Sequence, residues 1–174
     1  MFRLIPLAFV LAASLGCGDK PAATQPVAKG GGGAGHDDHG DHDRGKMKLV
    51  DAGPYHAGLT AHMSKDESNL EIVMETQDKE PKPVPLSQAA IMARVERAGD
   101  TKTYDITFEP GPKEERKGDP DGKCSRFEAK APWMKPDDKL TVTAKIEIAG
   151  KVREVTWEDF NPKKYNHADE EKKK

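Results

Sequence analysis

Leu140-Thr-Val-Thr-Ala-Lys-Ile-Glu-Ile148 is the stretch on which the fold turns. Leu140, Val142, Ala144, Ile146 and Ile148 recur at every second position, with Thr, Lys and Glu between them. A period of two lines all five along one face of a strand, whereas a helix would scatter them around its axis. One apolar face and one polar face point to an antiparallel sheet with a single covered side. Gly150-Lys151 then offers a tight hairpin into Val152, Val155 and Trp157, where the alternation is looser.

The same pattern recurs on the N-terminal side. Tyr55, Ala57, Leu59, Ala61 and Met63 share a face, as do Leu70, Ile72 and Met74. Ile91, Ala93 and Val95 alternate, then Tyr104, Ile106 and Phe108, then the shorter run of Phe127 and Ala129 after Cys124. Ala98-Gly99-Asp100 is a turn between two of these runs, and Pro81, Pro83 and Pro85 mark an edge or a crossover, because proline cannot donate to a ladder. No segment carries the spacing of a long amphipathic helix. About seven short strands predict an all-β fold, an antiparallel immunoglobulin-like β-sandwich after a disordered N-terminal segment, with a small barrel as the alternative.

The ends have a different composition. Arg3 precedes an apolar run from Leu4 to Ala13, about half the roughly 20 residues that a membrane helix needs, so residues 1–16 read as a signal peptide of lipoprotein type. Ser14-Leu15-Gly16-Cys17 resembles a lipoprotein box, which makes Cys17 the candidate lipidation site and the lipid the membrane contact. Ordinary cleavage after Ser14 or Gly16 is the alternative. Only Cys17 and Cys124 are present, so a lipidated Cys17 leaves Cys124 without an intramolecular partner, and an unmodified Cys17 permits a Cys17–Cys124 disulfide. The expected location is the cell envelope, on the periplasmic face or the cell surface.

Residues 17–46 have no periodic apolar positions and read as a disordered Gly- and His/Asp-rich tether. Residues 47–167 form the predicted β-sandwich domain, and 168–174 a charged tail. Within the tether, Gly30-Gly-Gly-Gly-Ala-Gly-His-Asp-Asp-His-Gly-Asp-His-Asp43 holds three of the six histidines. His36, His39 and His42 alternate with Asp37, Asp38, Asp41 and Asp43. Imidazole suits Zn, Cu and Ni, and carboxylate can complete such a site. A chain that must be ordered to bind gives modest affinity and loose metal choice, which fits buffering better than catalysis. Met47, beside the cluster, and His56, nearest it on a strand, are possible additional ligands. The other reading of the cluster is a hydrophilic linker.

The remaining candidates have plainer readings. His56 and His62, six apart on one strand, share a face but lie roughly 20 Å apart, so they cannot hold one ion and read as exposed strand histidines. His167 reads as part of the tail. Met63 and Met74 fall on inward faces as core filler. Asp119-Pro-Asp-Gly122 lacks the later acidic ligands of a calcium loop and reads as a turn. No nucleophile elbow, phosphate loop or H-E-x-x-H helix is present, so no enzyme is predicted. A net charge of −2, with no basic patch interleaved with aromatics, argues against nucleic acid.

The leader, the His/Asp-rich spacer, the Tyr55-His-Ala57 strand start and the Lys82-Pro-Val-Pro85 turn together resemble small bacterial secreted lipoproteins with a His-rich leader and an Ig-like β-sandwich domain. Where that group has Pro-His-Gly-Gly, this chain reads Asp51-Ala-Gly-Pro54. The resemblance implies periplasmic handling of heavy metal. Two functions are therefore expected: loose binding of divalent transition metal by the tether, or a non-catalytic interaction module for an envelope protein partner.

Overall fold

A computed structural model describes residues 42–167. They form nine strands: β1 (His42–Arg44), β2 (Met47–Asp51), β3 (Tyr55–Met63), β4 (Ser68–Thr76), β5 (Ile91–Arg97), β6 (Thr103–Pro110), β7 (Arg126–Lys130), β8 (Leu140–Ile148) and β9 (Lys151–Phe160). All pairings between them are antiparallel, in the order β1-β2-β3-β4-β7-β6-β5-β8-β9. The fold is all-β, as expected, with one short 3-10 turn at Lys113–Glu115 and no α-helix among the described residues. Nine strands replace the seven expected. Each alternating run of the sequence lies in one of β3 to β9, and the two additional strands are β1 and β2.

The sheet curls into a half-barrel. Its weakest seam is between β6 and β7, which pair only at Glu109–Glu128 and Pro110–Phe127. On either side of that seam the inward faces turn toward each other. The Trp157 indole on β9 donates to the Ala57 carbonyl on β3 at 3.0 Å, and the Lys48 ammonium on β2 donates to the Glu158 carbonyl. Between them Leu59, Leu70, Ile72, Met74, Ile91, Val95, Phe108, Phe127, Leu140, Ile146, Trp157 and Phe160 are fully buried. The Pro-rich stretch after β4 is the crossover to the far half: Val84 N–H reaches the Met74 carbonyl at 2.9 Å, and Leu86 and Cys124 exchange backbone bonds of 2.8 and 2.9 Å.

Two local differences from the pattern have simple causes. The β8–β9 hairpin turns on Ala149 and Gly150, both at positive φ (50° and 75°), one residue earlier than expected. Two successive left-handed residues are what a type I′ turn requires. The loose alternation of β9 is a bulge: Leu140 faces Phe160 but Val142 faces Trp157, with Asp159 at φ 48° absorbing the extra residue. Val155, Trp157 and Phe160 all reach the core because of it.

The stretch assigned to the tether also ends differently. Residues 42–44 are strand β1, and Gly45-Lys46 is the two-residue turn into β2, with Gly45 at φ 59°. A short hairpin of this kind is marginal alone. Here it is held because Met47 and Leu49 lie over Gly58, where a β-carbon would meet the Met47 sulfur.

Candidate functional site

The strand β3 is covered on both faces, and this shapes the candidate site. Alternation places Ala57, Leu59 and Ala61 in the core and His56, Gly58, Thr60 and His62 on the outer face. Part of that outer face is covered by Met47 and Leu49 of β2, which pairs with β3 only as far as Leu59. Beyond Leu59, the C-terminal segment takes over the same edge. Ala61 N–H donates to the Tyr165 carbonyl (3.0 Å), His167 N–H to the Ala61 carbonyl (3.2 Å), and Met63 N–H to the Asn166 side chain (3.0 Å).

That docking corrects the reading of the strand histidines as exposed. His56 and His62 are half-buried, and His167 packs against His62 with ring centroids 5.3 Å apart and planes tilted by 58°. Thr60 Oγ lies 2.8 Å from the carbonyls of Lys46 and Tyr165 and 3.0 Å from His167 Nδ1. His56 Nε2 is 3.4 Å from the Asp51 carboxylate, at the other end of the strand.

Of the expected metal ligands, His36, Asp37, Asp38, His39 and Asp41 lie outside the described residues, as does Cys17. His42 opens β1. Asp43 is engaged within the fold: it pairs with the Lys164 ammonium and accepts the Tyr165 hydroxyl at 2.5 Å. The Lys164 and Tyr165 hydrogen bonds hold the Asp43 carboxyl below its ordinary range, and the Asp43 bond raises Lys164. Burial, then the bond to Asp43, pushes the Tyr165 phenol up. Met47 packs over Gly58. Cys124 is a buried free thiol whose Sγ sits 2.6 Å from the Arg126 carbonyl. The Asp119 turn is structural, its carboxylate accepting the Ser125 N–H (2.7 Å) and hydroxyl (3.0 Å).

A second feature of the outer face had no periodic signal in the sequence. The strand pairing aligns Thr60, Glu71, Glu128 and Glu109 across β3, β4, β7 and β6. Glu71 is buried, and burial raises its pKa to about 7, with Glu115 and Glu128 adding to the rise and Arg126 opposing it. Arg126 Nε lies 2.7 Å from one Glu71 oxygen. Beside this row Asn69 faces His62 across β3–β4 and donates to Glu128 at 2.6 Å. The Asn69 amide oxygen has no hydrogen-bond partner among the described residues. Also among the described residues, no three His, Cys, Asp or Glu side chains converge on one ion position. No helix there is long and apolar enough to cross a membrane.

Comparison with family models, with curated proteins and with solved structures returned no match, so the site stands on its own geometry.

Proposed function

We propose that this is an exported, lipid-anchored envelope protein that loosely binds and buffers divalent transition metal, Zn, Cu or Ni, through the His/Asp segment 36–43. Lipid on Cys17 would attach it to the membrane, and no catalytic step is assigned to it. The observation that carries the reading is the composition of this segment together with its exit point. Three imidazoles interleaved with four carboxylates run directly into β1, which Asp43 fastens to Lys164 and Tyr165. A chelating tether attached in this way is held at one edge of a folded domain.

The finer fold reading belongs to the same proposal. β3, β4 and β7 adjoin in the order of strands A, B and E of an immunoglobulin-like sandwich, and β5, β8 and β9 in the order C, F and G, with β6 beside C. That order supports an Ig-like sandwich preceded by the β1–β2 hairpin.

Calorimetric titration of the mature chain with Zn²⁺, Cu²⁺ and Ni²⁺ tests the function. A chain with His36, His39 and His42 changed to Ala should bind more weakly. Unchanged affinity, or wild-type binding no tighter than about millimolar, about −4 kcal/mol, ends the metal reading. Mass spectrometry of the mature N-terminus tests the lipid on Cys17.

One observation favours the interaction-module reading. On the outer face of the β5–β8–β9 half, Met92 and Val152 are each 68% exposed. Capture of an envelope protein that Met92→Ser and Val152→Ser abolish, in a chain whose metal affinity is negligible, would select that reading.

A further inference from the structure

We propose that the loop between β6 and β7 is an anion-binding site that takes the phosphoryl group of a small solute or of a lipid headgroup. The proposal goes beyond the metal reading and uses none of its residues.

The loop is ordered by its own bonds. Residues 111–125 leave the sheet and return to it at one point, where Gly111 N–H donates to the Arg126 carbonyl at 2.9 Å. Inside it, Glu115 N–H reaches the Pro112 carbonyl (3.1 Å), Asp119 N–H the Arg116 carbonyl (3.2 Å) and Lys123 N–H the Pro120 carbonyl (3.0 Å). Its returning end is fastened to the Pro-rich crossover by the Leu86–Cys124 backbone pair and closed by the Asp119–Ser125 bonds. Compact loops whose ends meet in this way frequently carry function.

The charges around the loop are the second support. A cleft of about 420 Å³ opens beside it, lined by Lys113, Arg116, Lys117 and Lys123 together with Asp119 and Asp121. The surplus is two positive charges. Among the described residues, none of the four cations has a carboxylate within ion-pair distance. Elsewhere Arg44, Arg94, Arg97 and Arg126 each have such a partner. Four like charges gathered around one cleft repel each other, and a bound anion relieves that repulsion.

Arg116 fixes the class of ligand. It is half-buried, and it donates from Nε to the Gly111 carbonyl at 2.8 Å and from Nη1 to the Lys123 carbonyl at 3.3 Å. The guanidinium is thus held across the loop, while its Nη2 donates to nothing among the described residues. A held guanidinium suits the oxygens of a carboxylate or a phosphate, and three lysine point charges beside it favour the more highly charged of the two. Gly118 and Gly122 also line the cleft, at φ 98° and 73°, with open space where a β-carbon would stand. They let a ligand approach the main chain closely. No aromatic ring lines the cleft, so nothing there stacks a nucleic-acid base.

The test uses the mature chain with Cys17→Ser, so that no N-terminal lipid carries it to vesicles, at constant low ionic strength. Inorganic phosphate should shift the backbone ¹H–¹⁵N signals of residues 113–123 along one saturable isotherm. Arg116→Gln should weaken that isotherm by about tenfold or more, and Lys117→Gln or Lys123→Gln by about threefold or more each. Lys163→Gln, whose ammonium pairs with Asp137 in another loop, should leave it unchanged. Vesicles of phosphatidylcholine with phosphatidylglycerol, against phosphatidylcholine alone, separate the two sources. Sedimentation with the anionic vesicles that Lys117→Gln and Lys123→Gln abolish makes the ligand a headgroup, and phosphate binding without sedimentation makes it a free solute. The proposal is overturned if residues 113–123 of the unsubstituted loop show no saturable shift below about 10 mM phosphate and the chain does not sediment, a readout that needs no variant to fold. It is equally overturned if Arg116→Gln, Lys117→Gln and Lys123→Gln bind both probes as tightly as the unsubstituted loop.

Discussion

The two halves of the sheet differ in what covers their outer faces. In β5 and β8 the strands follow their sequence: alternate residues enter the core and the others face outward, while β9 buries Val155, Trp157 and Phe160 around its bulge. In β3 and β4 the core continues through to the outer face, where Thr60, Asn69, Glu71 and Glu75 are buried although polar. The difference arises from two short pieces at the ends of the described chain. The β1–β2 hairpin and residues 164–167 share the edge and outer side of β3. Buried polar groups need partners, and Glu71 pairs with Arg126 and Asn69 bonds Glu128, whereas on the open half a pair such as Arg94–Asp105 lies in water.

The largest disruption is expected where the halves meet. Trp157 is fully buried and its indole is bonded across the core to Ala57. Trp157→Ala should cost about 3–5 kcal/mol, read as a large fall in melting temperature. A variant that melts like wild type would show that the halves do not depend on each other.

The docking of the C-terminal segment should have a smaller effect with a pH signature. Tyr165→Phe removes the hydroxyl that Asp43 accepts and should cost about 1 kcal/mol at neutral pH. Because the folded pKa of Asp43 lies below its unfolded value, its contribution is present above the ordinary carboxylate range and is lost as pH falls through the lowered value. The Tyr165→Phe difference should therefore shrink in acid, as chemical denaturation at several pH values would reveal.

Glu71 has the opposite sign. Its folded pKa, about 7, lies above the ordinary 4.5, so the folded state holds a proton that the unfolded chain has released. Stability should fall as pH rises between about 4.5 and 7, and Glu71→Gln should flatten that slope. A slope unchanged in the variant would place the titrating group elsewhere. On the open half, Met92→Ser and Val152→Ser should change stability by no more than about 0.5 kcal/mol, because neither side chain leaves water on folding. A larger loss would mean that this face is covered too.

The regions that could be read from sequence are those where one physical signal dominates. A residue such as Ile146 has no competing role, so its period of two carries over directly into burial. Lys48 misleads: it sits on the inward side of β2 and is buried, yet a lysine in Met47-Lys-Leu-Val-Asp51 dilutes the apolar pattern that would announce a strand. His42 and Asp43 share a composition with the stretch before them, and only the pairing of β1 with β2 and the Asp43 contacts with Lys164 and Tyr165 distinguish them. His167 carried no signal at all, because a single histidine before a charged tail has no periodicity.

By itself the sequence determined the all-β class, the seven runs that became β3 to β9, the inward faces of those that alternate, and the chemical character of the His/Asp segment. These depend on local spacing and on side-chain chemistry, which need no knowledge of the rest of the chain. Only the tertiary structure decided that β3 is covered on both sides, that Glu71 is buried in line with Glu128 and Glu109, and that His62 meets His167. Those outcomes depend on which distant segment occupies the edge beyond Leu59. That choice is made by backbone pairing and by the burial of Tyr165 against Phe160.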